Sequence, residues 1–222
     1  MIIDRPSPNF DDRSLPVWII VLHYTGMPTA AAAIDHLANP ASKVSAHWVV
    51  AEDGQIVRMV DENKRAWHAG KSFWRGATDI NSASVGIEIV NPGHEFGYRP
   101  FPDAQIAAVE TLVADAMRRF SIHPSNVIGH SDVAPARKED PGELFPWDRL
   151  AAKGLAAPTP AGGFDPNWTD EGTIRALHRY GYDVTDPQAA VVAFQRRFRQ
   201  SNIDGVIDAE TRTILRGLLV NP

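Results

Sequence analysis

Val17-Trp18-Ile19-Ile20-Val21-Leu22-His23-Tyr24-Thr25-Gly26 and Ser84-Val85-Gly86-Ile87-Glu88-Ile89-Val90 are the two stretches on which the fold turns. The first is a continuous apolar run rich in β-branched residues, the pattern of a strand covered on both faces. His23 stands at its end, and Thr25-Gly26-Met27-Pro28 breaks it. The second is also a strand; period-2 alternation sends Val85, Ile87 and Ile89 to one face and Gly86, Glu88 and Val90 to the other. Asn91-Pro92-Gly93 closes it.

Working outward, the Ala-rich stretch 29–38 with Ile34 and Leu37 predicts a helix. Residues 46–51 and 55–60 predict two strands, and Glu52-Asp53-Gly54 between them is a hairpin signal. Ile106, Val109, Leu112, Val113, Ala116 and Met117 mark an amphipathic helix over 103–120, with Asp103 expected as its N-cap. Val127-Ile128-Gly129-His130 predicts a short last strand, followed by a Pro-rich, charged loop. Residues 156–166 have linker composition. Beyond them Leu177 and Tyr180, then Val191 to Phe198, then Asp208 to Leu219 predict three helices, with an Asp204-Gly205 turn before the third. The expected division is 1–155, a linker at 156–166, and a small unit at 167–222 that folds separately.

Composition narrows the chemistry. The chain has 222 residues, a net charge of −5 and no basic run, so a nucleic-acid partner is not expected. It has no cysteine, which excludes disulfides, thiolate metal sites and cysteine nucleophiles. A metal would have to be held by His and carboxylate. No apolar run is long enough to span a bilayer. The first residues do not read as a secretory signal, so the chain as written reads as cytoplasmic; removal of a signal would make it periplasmic or envelope-bound.

Two of the eight histidines stand out. His23 and His130 each end an apolar strand, and Asp140 follows ten residues after His130. Two imidazoles and one carboxylate suit zinc, with a fourth position left for water.

The motifs now form an ordered series: Leu22-His23-Tyr24-Thr25-Gly26; Ser45-Ala46-His47-Trp48; Trp67-His68-Ala69-Gly70; Ser84-Val85-Gly86-Ile87-Glu88; and Gly129-His130-Ser131-Asp132-Val133-Ala134-Pro135 through Arg137-Lys138, Asp140-Pro141-Gly142 and Phe145-Pro146-Trp147. Over about 16–155 this series resembles the N-acetylmuramoyl-L-alanine amidases related to phage lysozyme-type amidases and peptidoglycan recognition proteins. Trp74-Arg75-Gly76-Ala77-Thr78 and the appended unit narrow the likeness to the AmpD/AmiD group, on its AmiD side. The resemblance implies an α/β fold, a mixed central β-sheet flanked by helices. It implies one zinc per chain on His23, His130 and Asp140, with Glu88 as acid–base and Lys138 for the developing oxyanion. His47, Trp67, His68, Trp74 and Arg75 are the candidate substrate contacts. The implied ligand is peptidoglycan or anhydro-muropeptide of bacterial origin, and a monomer is expected. Some distant relatives place Tyr where this chain has Ala46, so that residue's role does not carry over. The segment 167–222 resembles the three-helix peptidoglycan-binding domains appended to wall hydrolases, departing from them at Phe198-Arg199-Gln200-Ser201-Asn202.

Two other classes remain. A non-catalytic wall-recognition module on this fold would lose a metal ligand. A zinc peptidase would carry different ligand spacing, such as His-Glu-x-x-His, which is not present.

Overall fold

The computed structural model describes residues 2–220. In chain order the elements are β1 (Ile2–Asp4), β2 (Phe10–Asp12), β3 (Ile19–Tyr24), α1 (Ala30–Ala38), β4 (Trp48–Val50), β5 (Ile56–Arg58), β6 (Lys64–Ala66), α2 (Ile80–Ala83), β7 (Ser84–Ile89), α3 (Gly93–Phe96), α4 (Asp103–Phe120), β8 (Val127–Gly129), α5 (His130–Val133), α6 (Trp147–Ala152), α7 (Asp170–Tyr180), α8 (Pro187–Phe198) and α9 (Ala209–Val220). A six-stranded sheet runs β1-β5-β4-β7-β3-β8. The β4–β5 hairpin is antiparallel and the other pairs are parallel. A two-stranded antiparallel ribbon joins β2 to β6. Among the described residues no helix is long and apolar enough to cross a membrane.

Local chemistry explains the boundaries. The Thr29 hydroxyl accepts the Ala32 N–H at 3.1 Å and caps α1, satisfying a donor the helix itself cannot. Gly54 turns the hairpin at φ +85°, and a Cβ there would lie 2.7 Å from the Ala104 carbonyl oxygen, so glycine is required twice over. Two expectations need correcting. Asp103 is not the N-cap of α4: Pro102 holds that position, without a side-chain cap. Asp103 is already helical and pairs with Arg149 at 2.8 Å. His130 does not end a strand; it opens the single-turn helix α5.

The sheet's two faces are covered differently. Ile20, Leu22, Val85, Ile87 and Ile89 pack with Ile106, Val109 and Val113 of α4. On the opposite face, Val49 of β4 and Val57 of β5 meet Leu37 of α1. On that same side Ile19, Val21 and Ile128 belong to a core that includes Leu177, Tyr180, Tyr182, Phe194 and Leu215. The carboxyl ends of β3 and β7 lie between these two coverings.

The three C-terminal helices therefore share a core with the sheet. The turn Trp74–Ala77 locks them together. Trp74 is 1% exposed and meets Tyr180 and Tyr182 edge-on at 5.9 and 5.3 Å. Arg75 donates from Nε to the Tyr180 carbonyl at 3.0 Å and from its backbone N–H to that of Gly181 at 3.0 Å. The Arg197 guanidinium lies 3.6 Å over the Trp147 ring and donates to the Ala157 carbonyl.

Ending the chain at Leu155 would uncover Trp74, Ile80, Ile128 and Val133, and burying such a side chain is worth about 1.5–3 kcal/mol. Scanning calorimetry of that shortened chain should place its melting temperature at least roughly 10 °C below the full chain's. Equal melting temperatures would mean that the shared core adds nothing to stability.

Candidate active site

Strand register brings the first two functional groups together. His23 of β3 pairs with Glu88 of β7, at the carboxyl ends of parallel strands, where open parallel sheets place their sites. On the other flank of β3, Leu22 pairs with Gly129, so His130 follows beside His23. The Gly129 N–H donates to Asp132 Oδ2 at 2.7 Å and tightens the turn that carries His130. Asp140 is brought in by its own carbonyl, which accepts the Ser131 N–H at 2.9 Å.

The three side chains converge. His23 Nδ1 lies 2.9 Å from His130 Nδ1 and 3.0 Å from Asp140 Oδ2, and His130 Nδ1 lies 3.1 Å from the same oxygen. All three residues are buried. Their hydrogen-bond partners assign the proton positions. Ser84 Oγ donates to the Ile80 carbonyl at 2.5 Å, so it accepts from His68 Nε2 at 3.2 Å. His68 Nδ1 is then an acceptor, and His23 Nε2 donates to it at 3.0 Å. His130 Nε2 donates to the Ala69 carbonyl at 3.1 Å. Both imidazoles thus turn an unprotonated Nδ1 toward the Asp140 carboxylate.

Three lone-pair atoms at such separations repel one another unless a cation sits among them. A tetrahedral ion with ligands at about 2.0–2.2 Å sets ligand atoms roughly 3.3 Å apart, so slight widening of the triangle admits it. Two imidazoles and a carboxylate are also a donor set suited to zinc. Glu88 adds a second sign of an incomplete site. Its Oε2 is buried without a hydrogen-bond partner among the described residues.

Electrostatics follow from burial. Burial above all, then the neighbouring His130, pulls His23 down to about 4. Burial also holds His68 well below the usual histidine range. Burial and the Asp140 charge push Glu88 well above its usual range, with Lys138 opposing.

The cleft over these groups has a volume of about 400 Å³. His68, Trp67, Lys138 and Glu88 line it with the His-His-Asp triad. His47 does not line it. It lies behind His68, at 0% exposure, accepting the Gly86 N–H at 2.9 Å on Nδ1. Trp74 and Arg75 are also away from the cleft, in the contact with α7 described above; their place is fixed by aromatic packing and backbone hydrogen bonds. Sequence reasoning passed over Ser84, Asn81 and Arg137. Asn81 Oδ1 accepts the N–H groups of His68 and Ala69 at 3.0 and 2.7 Å. Arg137 donates to the carbonyls of Ala69 and Lys71. Ser84 was within reach, because strand alternation sets it on the Glu88 face. Gly86, between them, leaves the room His68 needs, since a Cβ there would sit 2.5 Å from the His68 ring.

His23, His47 and His68 have one consequence for stability. Burial, with Arg13 assisting, lowers His47 to about 3. All three are therefore neutral when folded and would take up protons when unfolded below about pH 6.5. The metal-free chain should lose stability as pH falls from about 6.5 toward 4, by up to about 1.4 kcal/mol per pH unit for each. Urea melts across that range check this; a flat profile would show that the three are not buried neutral.

Comparison with known proteins agrees with this geometry. The family model described as N-acetylmuramoyl-L-alanine amidase matches residues 13–143. The N-acetylmuramoyl-L-alanine amidase AmiD of Escherichia coli (strain K12) is 37% identical, over 90% of this chain and 82% of that protein. A solved complex of E. coli AmiD with the substrate anhydro-N-acetylmuramic acid-L-Ala-D-gamma-Glu-L-Lys superposes with a TM-score of 0.84 at 34% identity, covering 95% of this chain and 92% of that one. AmpDH3 of Pseudomonas aeruginosa, solved with anhydromuramic pentapeptide, gives 0.76 at 31% identity, covering 92% of each chain. This chain belongs to the N-acetylmuramoyl-L-alanine amidase family and is an amidase.

Proposed function

We propose that the chain holds one zinc ion on His23, His130 and Asp140 and hydrolyses the amide between the lactyl group of an (anhydro)muramic acid and L-alanine. The observation that carries this reading is the convergence of two bare imidazole nitrogens and a carboxylate beside a buried, unpartnered Glu88 oxygen. When bound, zinc supplies Lewis acidity that polarises an amide carbonyl and acidifies water.

The chain's own groups do the rest. Glu88, whose carboxylate is made more basic by its poorly solvated pocket, takes a proton from the attacking water as that water adds to the carbonyl, and passes it to the amine nitrogen of L-alanine as the C–N bond breaks. Such acid–base help is typically worth about 10²–10⁴-fold. Lys138 lines the same cleft, and its ammonium stabilises the oxygen on which negative charge develops. Trp67 is half-buried at the cleft wall, its Nε1 donating to Asp11 at 2.7 Å, and offers a flat apolar face to the sugar. Lys43 and Arg137 stand along the cleft's extension past Trp67, where cations suit the carboxylates of a stem peptide. The solved relatives carry anhydromuramic peptides, which makes such a muropeptide the substrate to test.

Incubation with a purified anhydro-muropeptide should release an intact stem peptide starting at L-alanine, read by mass spectrometry. Cleavage within the stem, or of a glycosidic bond, would overturn the assignment. Glu88→Gln should keep zinc but lose turnover by about 10²–10⁴-fold, and Lys138→Ala should lower kcat with a smaller change in KM. A Glu88→Gln protein as active as the parent would remove Glu88 from the mechanism. Ser84→Ala breaks the hydrogen-bond chain that orients His23, so zinc affinity should fall about 10–100-fold; a chelator competition titration measures this, and unchanged affinity would show that the orientation of His23 does not depend on Ser84.

A further inference from the structure

The C-terminal helices touch both polypeptide segments that carry the second and third metal ligands. Tyr182, fully buried just after α7, donates its hydroxyl to Asp132 Oδ1 at 2.6 Å. The other oxygen of that carboxylate accepts the Gly129 N–H, so Asp132 links the helical unit to the turn on which His130 sits. Gln200, two residues past α8, donates from Nε2 to the carbonyls of Glu143 and Phe145 at 2.7 and 2.9 Å. Both carbonyls belong to the loop that leaves Asp140. Arg196 adds longer ion pairs to Glu139 and Glu143, at 3.5 and 3.6 Å.

We propose that the C-terminal helices are a positioning element of the metal centre, with Tyr182 holding the His130 turn and Gln200 holding the Asp140 loop. The argument is geometric. β8 is three residues long and is held on one edge by β3, but α5 beyond it is a single turn, too short to fix its own orientation. Residues 134–146, which include Asp140, form no strand or helix. A triangle of ligands with edges near 3 Å depends on both segments being held from outside. Tyr98 grips the Asp140 loop from the sheet domain, donating to the Pro141 carbonyl at 2.7 Å and accepting the Leu144 N–H at 3.0 Å; the side-chain bonds from Tyr182 and Gln200 add a hold on both segments from the C-terminal helices. Loss of the Tyr182 hydroxyl leaves a buried Asp132 oxygen without its donor, and loss of the Gln200 amide releases the Glu143 carbonyl; either frees the segment behind it.

This rests on the zinc reading above, and the test keeps the two apart. Tyr182→Phe and Gln200→Glu remove one donor each while keeping side-chain size. In the full chain, zinc affinity is measured by competition with a chromogenic chelator. The visible spectrum of the cobalt(II)-loaded protein reports ligand geometry, and the melting temperature of the metal-free protein reports the fold. Each variant should bind zinc about tenfold more weakly and show an altered cobalt spectrum, with metal-free melting within a few degrees of the parent. Either variant suffices if the other does not fold. Parental zinc affinity, within twofold, and a parental cobalt spectrum in both would overturn the inference and leave the helices as a stabilising cover. A parent chain that takes up no zinc would instead overturn the proposed function, and this inference with it.

Discussion

Two imidazole nitrogens and a carboxylate oxygen, all unprotonated, meet within about 3 Å in a buried part of the molecule. Nothing in ordinary folding favours that. Each group would be better solvated in water, and together they repel. The arrangement persists because a second layer of groups fixes it. Ile80, Ser84 and His68 form one line of hydrogen bonds ending at His23, and the Ala69 carbonyl ends another at His130. The segment Trp67-His68-Ala69-Gly70 therefore acts twice, presenting a ring nitrogen to one ligand and a carbonyl to the other. Asn81 in turn holds that segment by two backbone N–H groups. Removing these flanking partners would change which nitrogen of each ring carries its proton.

The sheet delivers these groups to one place at small structural cost. In parallel strands, pairing His23 with Glu88 is a single choice of register, and a one-residue slip would turn Glu88 into the apolar core under α4. That slip is opposed by Val85, Ile87 and Ile89, which are all fully buried. The hydrophobic face thus sets the position of the face that carries Glu88. Gly86 contributes by omission, since any side chain there would occupy the space of the His68 ring. The cleft opens at the strand ends, where Ala33, His36 and Leu37 of α1 and the loop from Arg137 to Asp140 line it.

Much of this was legible before any coordinates. The period-2 alternation of 84–90 put Glu88 opposite the core, and the apolar run ending at His23 identified a buried strand. The Asp-Gly hairpin and the five longer helices, α1, α4, α7, α8 and α9, also had strong local signals. What escaped has a physical reason in each case. β1 and β2 are three-residue strands with every side chain exposed, so they carry no alternation to read. β6 and α2 are short pieces whose form depends on pairing and packing rather than on their own composition. Asp103 had the residue type of a cap, but the helix already begins there, and Arg149 takes its carboxylate. Trp74 and Arg75 had the residue types of a recognition loop. An indole and a guanidinium serve equally well to join two layers, and only the contact with Tyr180 and Tyr182 decides between the roles.

The linker shows the same limit. Residues 156–166 are rich in Pro and Gly, and such composition reads as a hinge between separate bodies. Composition reports how freely a segment bends in isolation; it says nothing about what lies on either side. Here the segment is tied down along its length. Ala156 and Ala157 are buried, the Ala157 carbonyl accepts from Arg197, and Asp165 receives Arg212 through two oxygens. Proline and glycine then serve a different end, letting the backbone cross a packed surface without regular structure. The aromatic residues of the helical unit follow the same logic. A three-helix unit of this size has too little interior to be strongly stable alone, and Tyr180, Tyr182 and Phe198 spend their area on a core held in common with β3 and β8. The fold of the C-terminal helices and the placement of the segments that carry His130 and Asp140 are for that reason parts of one packing problem.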